Sequence, residues 1–340
     1  MWLMYLPVAL QWLLLSIRYR SLSLPLIANP GIPLSGMVGV SKSAVFDLAG
    51  DYAGRWILPW TLFEVGEESL DKRGQRALES LRAAGLEFPL VGKPNIGCRG
   101  AGVRLLNSIA DLHEYLRGFP EGGCIQFQKL SQWDAEAGVF YVRDPRTGQG
   151  EVTSLTLKYT PYVVGDGESS LSELVAADPR AGALLHLYRV RHAQRWDEVI
   201  AQGEPFRLVF SASHCRGAVF RDAAELIDPK LSQSLDRIFA DIPGFYYGRL
   251  DVKFKDVKSL SDGVEFNIIE INGASSESIN IWDRNAGLFT AVRTLLQQYH
   301  TLFKLGDLSR RRGLKPPGLL ALYRAWRFEN NLVKRYPQND

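Results

Sequence analysis

The sequence predicts a mixed α+β protein built from two or three lobes, and three observations lead to this fold class. The chain has 340 residues, of which 46% are hydrophobic, so it can bury a large core but is too long for one average domain. Period-two hydrophobic stretches alternate with short helical patterns from about residue 85 to residue 175. Strand patterns return after residue 205, and helical periodicity dominates the C-terminal part.

The individual elements follow from these periodicities. Residues 1–70 are apolar with repeated proline and glycine, and residues 71–84 have the pattern of a charged helix. A helical section follows residue 175. The predicted strands are Phe206–Ser213, Gly217–Phe220, Leu250–Phe254 and Val264–Ile271, and the predicted C-terminal helices are Leu288–His300 and Leu319–Val333.

Composition and charge argue against a nucleic-acid partner, a cysteine metal site and a disulfide framework. The net charge is only +3 at pH 7 and the basic residues are scattered, so nothing indicates binding to nucleic acid. The three cysteines are far apart and fit neither a metal-binding spacing nor a disulfide framework. We therefore expect a cytoplasmic protein, in a reducing compartment, with no nucleic-acid partner.

The first seventeen residues contain no charged side chain, and Arg18 and Arg20 follow them. A transmembrane helix needs about 20 apolar residues, with about 17 as the lower limit. Three interpretations stay open: a helix buried against the rest of the protein, shallow insertion into a membrane surface, or a true span. A secretory signal is not indicated, because the segment has no basic start and no small-residue cleavage site. Residues 1–20 are thus a candidate membrane contact, on the cytoplasmic face of the inner membrane.

Two carboxylates near the C-terminal end form the tightest motif of the sequence. Arg249 precedes Asp251 at strand spacing, and Glu270 precedes Asn272 at the same spacing. Period-two geometry places each pair on one face of its strand, and neighbouring strands can bring all four side chains together. Hard oxygen ligands of this kind suit Mg2+, and a cation beside them suits a site where phosphate charge develops. The alternative is a pair of ordinary strands that end in polar residues.

A glycine-rich loop follows a short apolar strand upstream of these carboxylates, within Phe88–Val103. Glycine lets backbone N–H groups approach phosphate oxygens closely, so this is a candidate phosphate-binding loop. It matches neither a Walker loop nor a dinucleotide-binding fingerprint, and an ordinary glycine-rich hairpin tip is the alternative. The loop contains Gly97, Gly100 and Gly102, with Lys93 and Arg99 as the nearby cations.

Together, the lysine, the glycine loop and the two carboxylate motifs resemble the ATP-grasp superfamily, and within it the D-alanine–D-alanine ligases and related carboxylate–amine ligases. The resemblance covers roughly Asp71 to Trp282. It implies an α+β ATP-grasp fold, in which two α+β lobes with antiparallel sheets grip ATP, preceded by a reduced apolar N-terminal region. The implied domains are residues 1–70, an ATP-grasp domain over residues 71–290 with a hinge near residues 126–136, and a helical tail over residues 291–340.

The resemblance also implies which residues bind ATP. The lysine before the glycine loop would contact phosphate, and the lysine of the Lys158–Tyr159 pair would be aimed at the terminal phosphate, with Tyr159 near the substrate. Gln128 stands where the family usually has a glutamate, so its contact with adenine must be rearranged. The implied nucleotide contacts are Lys93, Gly97, Arg99, Gly100, Gly102, Gln128, Lys129, Leu130, Glu136 at the ribose, and Lys158.

The remaining implied roles concern the metal and the reaction. The implied activity joins a small-molecule carboxylate to an amine through an acyl-phosphate, consumes ATP with Mg2+ and produces ADP. One alternative is a ligase that adds amino acids to a peptide or protein end, and another is a non-catalytic, membrane-associated nucleotide-binding module. The residues implied are Asp251, Glu270 and Asn272 for the metal, Arg249 and Lys158 for catalysis, and Gly273, Ser275 and Ser276 for the second substrate.

Two features leave alternatives open. The family has a further ATP-contacting lysine on a strand before the glycine loop, and that strand is not evident in this sequence. Lys42, Lys72 or Arg76 could replace that lysine. Residues 162–168 resemble a glycine-containing lid of peptide-forming ligases, and the alternative is a plain turn before a serine-capped helix.

Overall fold

The computed structural model describes residues 2–97 and 100–337, so the prediction for Arg99 lies outside the described residues. Its helices are α1 (Trp2–Tyr19), α2 (Ser43–Phe46), α3 (Asp51–Gly54), α4 (Leu70–Ala83), α5 (Ile109–Gly118), α6 (Leu171–Ala177), α7 (Leu185–Arg191), α8 (Pro229–Ala240), α9 (Val257–Ser261), α10 (Leu288–Arg311) and α11 (Leu319–Val333). Its strands are β1 (Trp60–Glu64), β2 (Leu90–Pro94), β3 (Arg104–Leu106), β4 (Cys124–Lys129), β5 (Ala135–Arg143), β6 (Gly150–Tyr159), β7 (Tyr162–Val164), β8 (Pro205–Arg207), β9 (Val219–Asp222), β10 (Tyr247–Phe254) and β11 (Phe266–Asn272).

The first sheet has four strands in the order β1-β4-β2-β3, and its pairings are antiparallel. Helices α4 and α5 pack against it, because their apolar sides share one core with the inward positions of the strands. That core includes Leu81 from α4, Leu112 and Tyr115 from α5, and Phe127 from β4. The charged helix predicted at residues 71–84 is confirmed as α4.

The second sheet has five strands in the order β11-β10-β5-β6-β9, again antiparallel throughout. Helix α8 covers one face, where Leu235 and Phe239 join Val139 and Leu250 in a buried core. The chain leaves the first sheet at the end of β4 and enters the second at the start of β5, so residues 130–134 connect the two sheets. The predicted α+β class with antiparallel sheets is confirmed.

Strand β1 comes from the apolar N-terminal region and not from the part of the chain after residue 71. Its five residues pair in register with β4, from Trp60 opposite Gln128 to Glu64 opposite Cys124. A boundary at residue 71 would therefore cut through the first sheet. We propose that this lobe begins before residue 60.

A third, smaller unit carries the two-stranded sheet β7-β8 together with α6 and α7. Ser170 caps α6 in a capping box with Glu173, so the predicted serine cap is present, and residues 162–164 of the preceding segment form β7. The predicted strand at residues 206–213 is wrong beyond Arg207. The guanidinium of Arg207 donates to the carbonyl oxygens of Val209 and Phe210, which a neighbouring strand would otherwise use, and the chain turns towards the cleft instead.

Helix α1 packs along α10, and the two helices run in the same direction. Met4 and Val8 share a core with the first turns of α10, and the Trp12 ring lies 5.2 Å from the Phe303 ring, further along it. The interpretation of residues 1–17 as a helix packed on the protein is therefore correct for one side of α1. Within residues 2–97 and 100–337, no helix has the length and hydropathy needed to cross a bilayer.

Candidate functional site

The candidate site is a cavity of about 700 Å3 between the two sheets. The first sheet contributes Lys93 from β2 and Gln128 from β4. The second sheet contributes residues from all five of its strands, β5, β6, β9, β10 and β11, on the face that looks towards the first sheet. The predicted phosphate-binding and metal-binding motifs, far apart in the sequence, thus meet in one cleft.

The register of β10 and β11 places the carboxylate motifs side by side. Asp251 lies directly opposite Glu270, and Arg249 lies directly opposite Asn272. Cross-strand partners share a face of the sheet, and so do residues two apart on one strand. All four side chains line the cavity, as the period-two spacing predicted.

Asp251 is buried and forms ion pairs with two cations. Its Oδ1 lies 3.0 Å from Nε of Arg249 and 2.8 Å from Nζ of Lys158. Burial alone would raise the pKa of the Asp251 carboxyl, but the Arg249 guanidinium and the Lys158 ammonium hold that pKa well below its usual range. The carboxylate is therefore charged throughout the physiological pH range.

Glu136, on β5, sits between two lysines of neighbouring strands. Its two carboxylate oxygens each lie 3.0 Å from an ammonium group, that of Lys158 on β6 and that of Lys253 on β10. Burial opposes the charge of Glu136, but Lys158 and then Lys253 lower the pKa of its carboxyl below the ordinary value. Lys158 is thus fixed from two sides, by Glu136 and by Asp251.

Glu270 is paired with Lys42, which the chain brings in from the N-terminal region. Nζ of Lys42 lies 2.6 Å from Oε1 of Glu270 and donates to the carbonyl oxygen of Gly97 over 3.0 Å. Lys42, Lys72 and Arg76 are the three candidates for the first ATP-contacting lysine of the family that the sequence resembles. Of these, Lys42 alone lines the described cavity. Lys72 is exposed on α4, and Arg76 is bound to Glu68 instead.

Lys93 is buried at the centre of the cleft, with a neutral acceptor on each side. Its ammonium donates to Oε1 of Gln128 over 2.9 Å and to the carbonyl oxygen of Ile269 over 2.8 Å. That carbonyl lies at a bulge in β11, where the register to β10 shifts. Burial lowers the pKa of Lys93 to about 8, against the opposing effect of Glu270.

The glycine loop lies beside these cations. Gly100 and Gly102 have φ angles of +73° and +70°, which side chains other than glycine rarely adopt. A Cβ atom on Gly100 would come within 2.8 Å of Oγ of Ser211, so the loop also contacts the segment after β8 closely. Gly97 and Gly100 line the cavity, whereas Gly102 lies behind it and accepts a hydrogen bond from the Tyr115 hydroxyl.

The end of the cavity beyond Arg249 is aromatic and apolar. The His214 ring lies 5.3 Å from the Trp282 ring and 5.8 Å from the Phe220 ring. Ile279 adds an aliphatic wall, and the Tyr5 hydroxyl of α1 donates to Oε1 of Glu277 over 2.8 Å. This end of the cavity suits an apolar group beside a few polar anchors.

The described lining carries an excess of positive charge. Seven lysine or arginine side chains and five aspartate or glutamate side chains face the cavity, an excess of two positive charges. An anionic ligand that binds these lysine and arginine side chains would break their ion pairs with the carboxylates. The carboxylates would then be free to bind a metal cation. The cations are Lys42, Lys93, Lys129, Lys158, Arg207, Arg249 and Lys253, and the carboxylates are Asp134, Glu136, Asp251, Glu270 and Glu277.

The donor set of β10 and β11 fits Mg2+. Asp251 is buried and Glu270 half-buried, and the two carboxylates stand opposite each other. Asn272 adds an amide oxygen as a further ligand, and its buried Nδ2 has no hydrogen-bond partner among the described residues. Mg2+ binds through one or two carboxylates and completes its shell with phosphate oxygens and water. The set contains only two carboxylates, and within the described ranges no group of three or more His, Cys, Asp or Glu side chains is arranged to hold a metal. The third ligand from the protein would therefore be the amide of Asn272.

Most of the predicted site residues meet in the cavity, and a few do not. Tyr159 is 47% exposed and does not belong to the described lining, because it follows Lys158 on the strand and faces the other side of the sheet. Gly273 packs against the backbone of Ser35. The predicted residues that line the cavity are Lys93, Gly97, Gly100, Gln128, Lys129, Leu130, Glu136, Lys158, Arg249, Asp251, Glu270, Asn272, Ser275 and Ser276.

Several lining residues were not predicted as site residues. Lys253 lies two residues after Asp251, so the spacing that indicated Arg249 could have indicated it too. Tyr5 and Trp282 carry no comparable signal, since each reaches the cavity through long-range packing.

No protein-family model and no curated protein matches the sequence. In structure the chain is similar to a D-alanine–D-alanine ligase from Bacillus anthracis, at 14% identity and a TM-score of 0.45, over 83% of this chain and 72% of that one. It is also similar to a bifunctional glutathione synthetase from Pasteurella multocida, at 18% identity and a TM-score of 0.37, over 76% of this chain and 36% of that one. The chain therefore spans about a third of the length of that synthetase.

Proposed function

We propose that this protein is an ATP- and Mg2+-dependent carboxylate–amine ligase that forms an amide through an acyl-phosphate. The observation that carries the proposal is the pairing of Asp251 with Glu270 on adjacent strands, with Arg249 and Lys158 bound to the same carboxylate cluster. This cluster faces a glycine loop and Lys93 across a cleft with excess positive charge. Such an arrangement suits positioning and charge neutralisation of a triphosphate.

ATP would lie between the two sheets. We place its phosphates at Lys93, Lys42 and the glycine loop, and its adenine against residues 128–130, where the chain leaves the first sheet. Gln128 already accepts a hydrogen bond from Lys93, so we assign it a role in holding that lysine as well as facing adenine. Both oxygens of Glu136 are bound by ammonium groups, so we assign this residue to orienting Lys158 and not to the ribose.

Asp251, Glu270 and Asn272 would hold Mg2+, which supplies charge neutralisation for the triphosphate. An oxygen of the substrate carboxylate attacks the terminal phosphorus, the bond to the leaving ADP oxygen breaks, and Lys158 neutralises the transferred group. Arg249 stabilises the acyl-phosphate. The amine then attacks the acyl carbon, phosphate leaves with the former carboxylate oxygen, and the amine loses a proton.

The substrates are small molecules, and the far end of the cavity restricts their chemistry. Arg249 can hold a carboxylate there, while Phe220, Ile279 and Trp282 offer an apolar surface. We therefore propose that at least one substrate carries an apolar group next to its reacting carboxylate or amine. A screen of purified protein with ATP, Mg2+ and a matrix of carboxylates and amines tests this directly. Phosphate release that requires both substrates supports a ligase, and ATP binding without turnover for any pair supports a non-catalytic module.

Lys42 is expected to be the cation that replaces the family's first ATP-contacting lysine. Lys42→Met should raise the KM for ATP about 10- to 100-fold, because a charge-assisted hydrogen bond is worth about 1.5–3 kcal/mol. Lys72→Met and Arg76→Met serve as matched controls outside the cavity and should leave the KM unchanged. An equal rise in all three variants, or none in Lys42→Met, would contradict this assignment.

The affinity for ATP should fall as the pH rises through the pKa of Lys93. That pKa is lowered to about 8, so the ammonium is present below pH 8 and is lost above it. We expect kcat/KM for ATP to decline above about pH 8, approaching tenfold per pH unit if Lys93 must be protonated. Lys93→Arg should shift this decline to higher pH, since a guanidinium stays charged. A wild-type profile that stays flat to about pH 9.5 would show that the charge of Lys93 is not required.

A further inference from the structure

The outer face of α1 is a continuous apolar stripe that the rest of the described chain leaves uncovered. Its side chains recur at helical spacing, and each is between 55% and 75% exposed. The inner face of the same helix packs on α10, so the helix is apolar on both sides but buried on only one. The stripe consists of Leu6, Leu10, Leu13, Leu14 and Ile17.

Positive charge accompanies this stripe. Arg18 and Arg20 are exposed at the C-terminal end of α1. Arg310 reaches the same end and donates to the carbonyl oxygen of Tyr19, but it is paired with Asp307. The first acidic residue of the chain is Asp47, so no carboxylate side chain within α1 opposes Arg18 and Arg20. An aliphatic stripe with basic residues at one end is the chemistry of a helix that lies in the surface of an anionic bilayer.

The size of the stripe favours lipid over a second protein. It offers five large side chains on one helix, whereas a stable protein interface takes about 20–30 residues on each side. A helix in the headgroup region needs only one apolar face, with its basic residues at the phosphates. Tyr5, also on α1, donates to Glu277 at the apolar end of the cavity, so this helix forms part of the cavity wall.

We propose that α1 docks the protein on anionic membranes, with its outer stripe inserted among the lipids and Arg18 and Arg20 on the headgroup phosphates. The test is co-sedimentation of the full-length protein with vesicles of mixed phosphatidylglycerol and phosphatidylcholine, compared with pure phosphatidylcholine. The protein should sediment with the anionic vesicles. Leu10→Gln/Leu14→Gln should weaken this binding about 100-fold, because two inserted apolar side chains are lost.

A matched control carries two equally polar substitutions away from α1. Ile109→Gln/Val190→Gln changes exposed aliphatic residues on α5 and α7 and should bind vesicles like the wild type. Arg18→Gln/Arg20→Gln should bind the anionic vesicles about 30-fold less tightly, since each basic residue contributes about a factor of five, and added salt should act in the same direction.

Three results would overturn the proposal. The first is that the wild-type protein does not bind anionic vesicles. The second is that Leu10→Gln/Leu14→Gln binds them as tightly as the control variant. The third is that the wild type self-associates without binding vesicles and the stripe variant does not, which would make the stripe an interface between copies. Thermal melting checks that each variant is folded. Leu6→Gln/Ile17→Gln, at the two ends of the stripe, replaces the first pair if that pair unfolds.

Discussion

Replacing Glu270 by glutamine is expected to reduce turnover at least 100-fold while the protein stays folded. The carboxylate lies opposite Asp251 and is bound by Lys42 at 2.6 Å, so it contributes charge where a metal and a triphosphate would meet. A neutral amide keeps the shape but removes that charge, and losing one such electrostatic group costs about 100- to 1000-fold in kcat. The measurement is kcat with ATP, Mg2+ and the substrate pair from the screen, together with the melting temperature.

The control for this variant is Glu265→Gln. Glu265 lies just before the same strand and pairs with Lys255 at the surface, outside the cavity. We expect its kcat to match that of the wild type. If Glu270→Gln retains activity within a few-fold of wild type and melts normally, Glu270 does not bind the metal.

Lys158→Gln is expected to lose at least 100-fold in kcat and also to destabilise the fold. Lys158 is bound by both Glu136 and Asp251 deep in the cleft, so its loss removes a cation from two buried carboxylates. Breaking a buried ion pair from one side costs up to about 3–5 kcal/mol. Lys253→Gln is the matched control, because Lys253 also binds Glu136 but does not pair with Asp251. We expect its kcat to fall less than tenfold.

A double variant separates catalysis from stability. Lys158→Gln/Glu136→Gln removes one of the two buried carboxylates that lose a cation in Lys158→Gln, so it should melt at a higher temperature than Lys158→Gln alone. Its kcat should stay as low, since Lys158 is still absent. Recovery of kcat together with the melting temperature would mean that Lys158 has a structural role only.

The carboxylate motifs could be predicted from the sequence because their geometry is local. Arg249 and Asp251 lie two residues apart on one strand, and period-two spacing fixes their common face before any tertiary contact is known. Whether that strand meets the strand of Glu270 depends on the register of β10 and β11, which the sequence only suggested. Lys253 had the same spacing and was missed, because its role depends on Glu136 of the neighbouring strand β5.

Other parts of the site depend on long-range packing that single-sequence patterns do not contain. Lys42 could not be chosen over its alternatives, since it reaches Glu270 only when the N-terminal region folds across the second sheet. The strand predicted after residue 206 had suitable periodicity, but Arg207 binds the carbonyl oxygens that a partner strand would need. The apolar start of the chain left burial in the protein, insertion into a membrane surface and a span as alternatives, and α1 is buried against the protein on one side only.

Transfer of a labelled oxygen tests the proposed reaction most directly. The substrate carboxylate is prepared with isotopically labelled oxygen, turned over with ATP, Mg2+ and the amine, and the released phosphate is analysed by mass spectrometry. An acyl-phosphate route places one labelled oxygen in every phosphate released and leaves ADP unlabelled. Labelled AMP, with unlabelled pyrophosphate, would show that the carboxylate is activated by adenylation and would contradict the proposed role of the site.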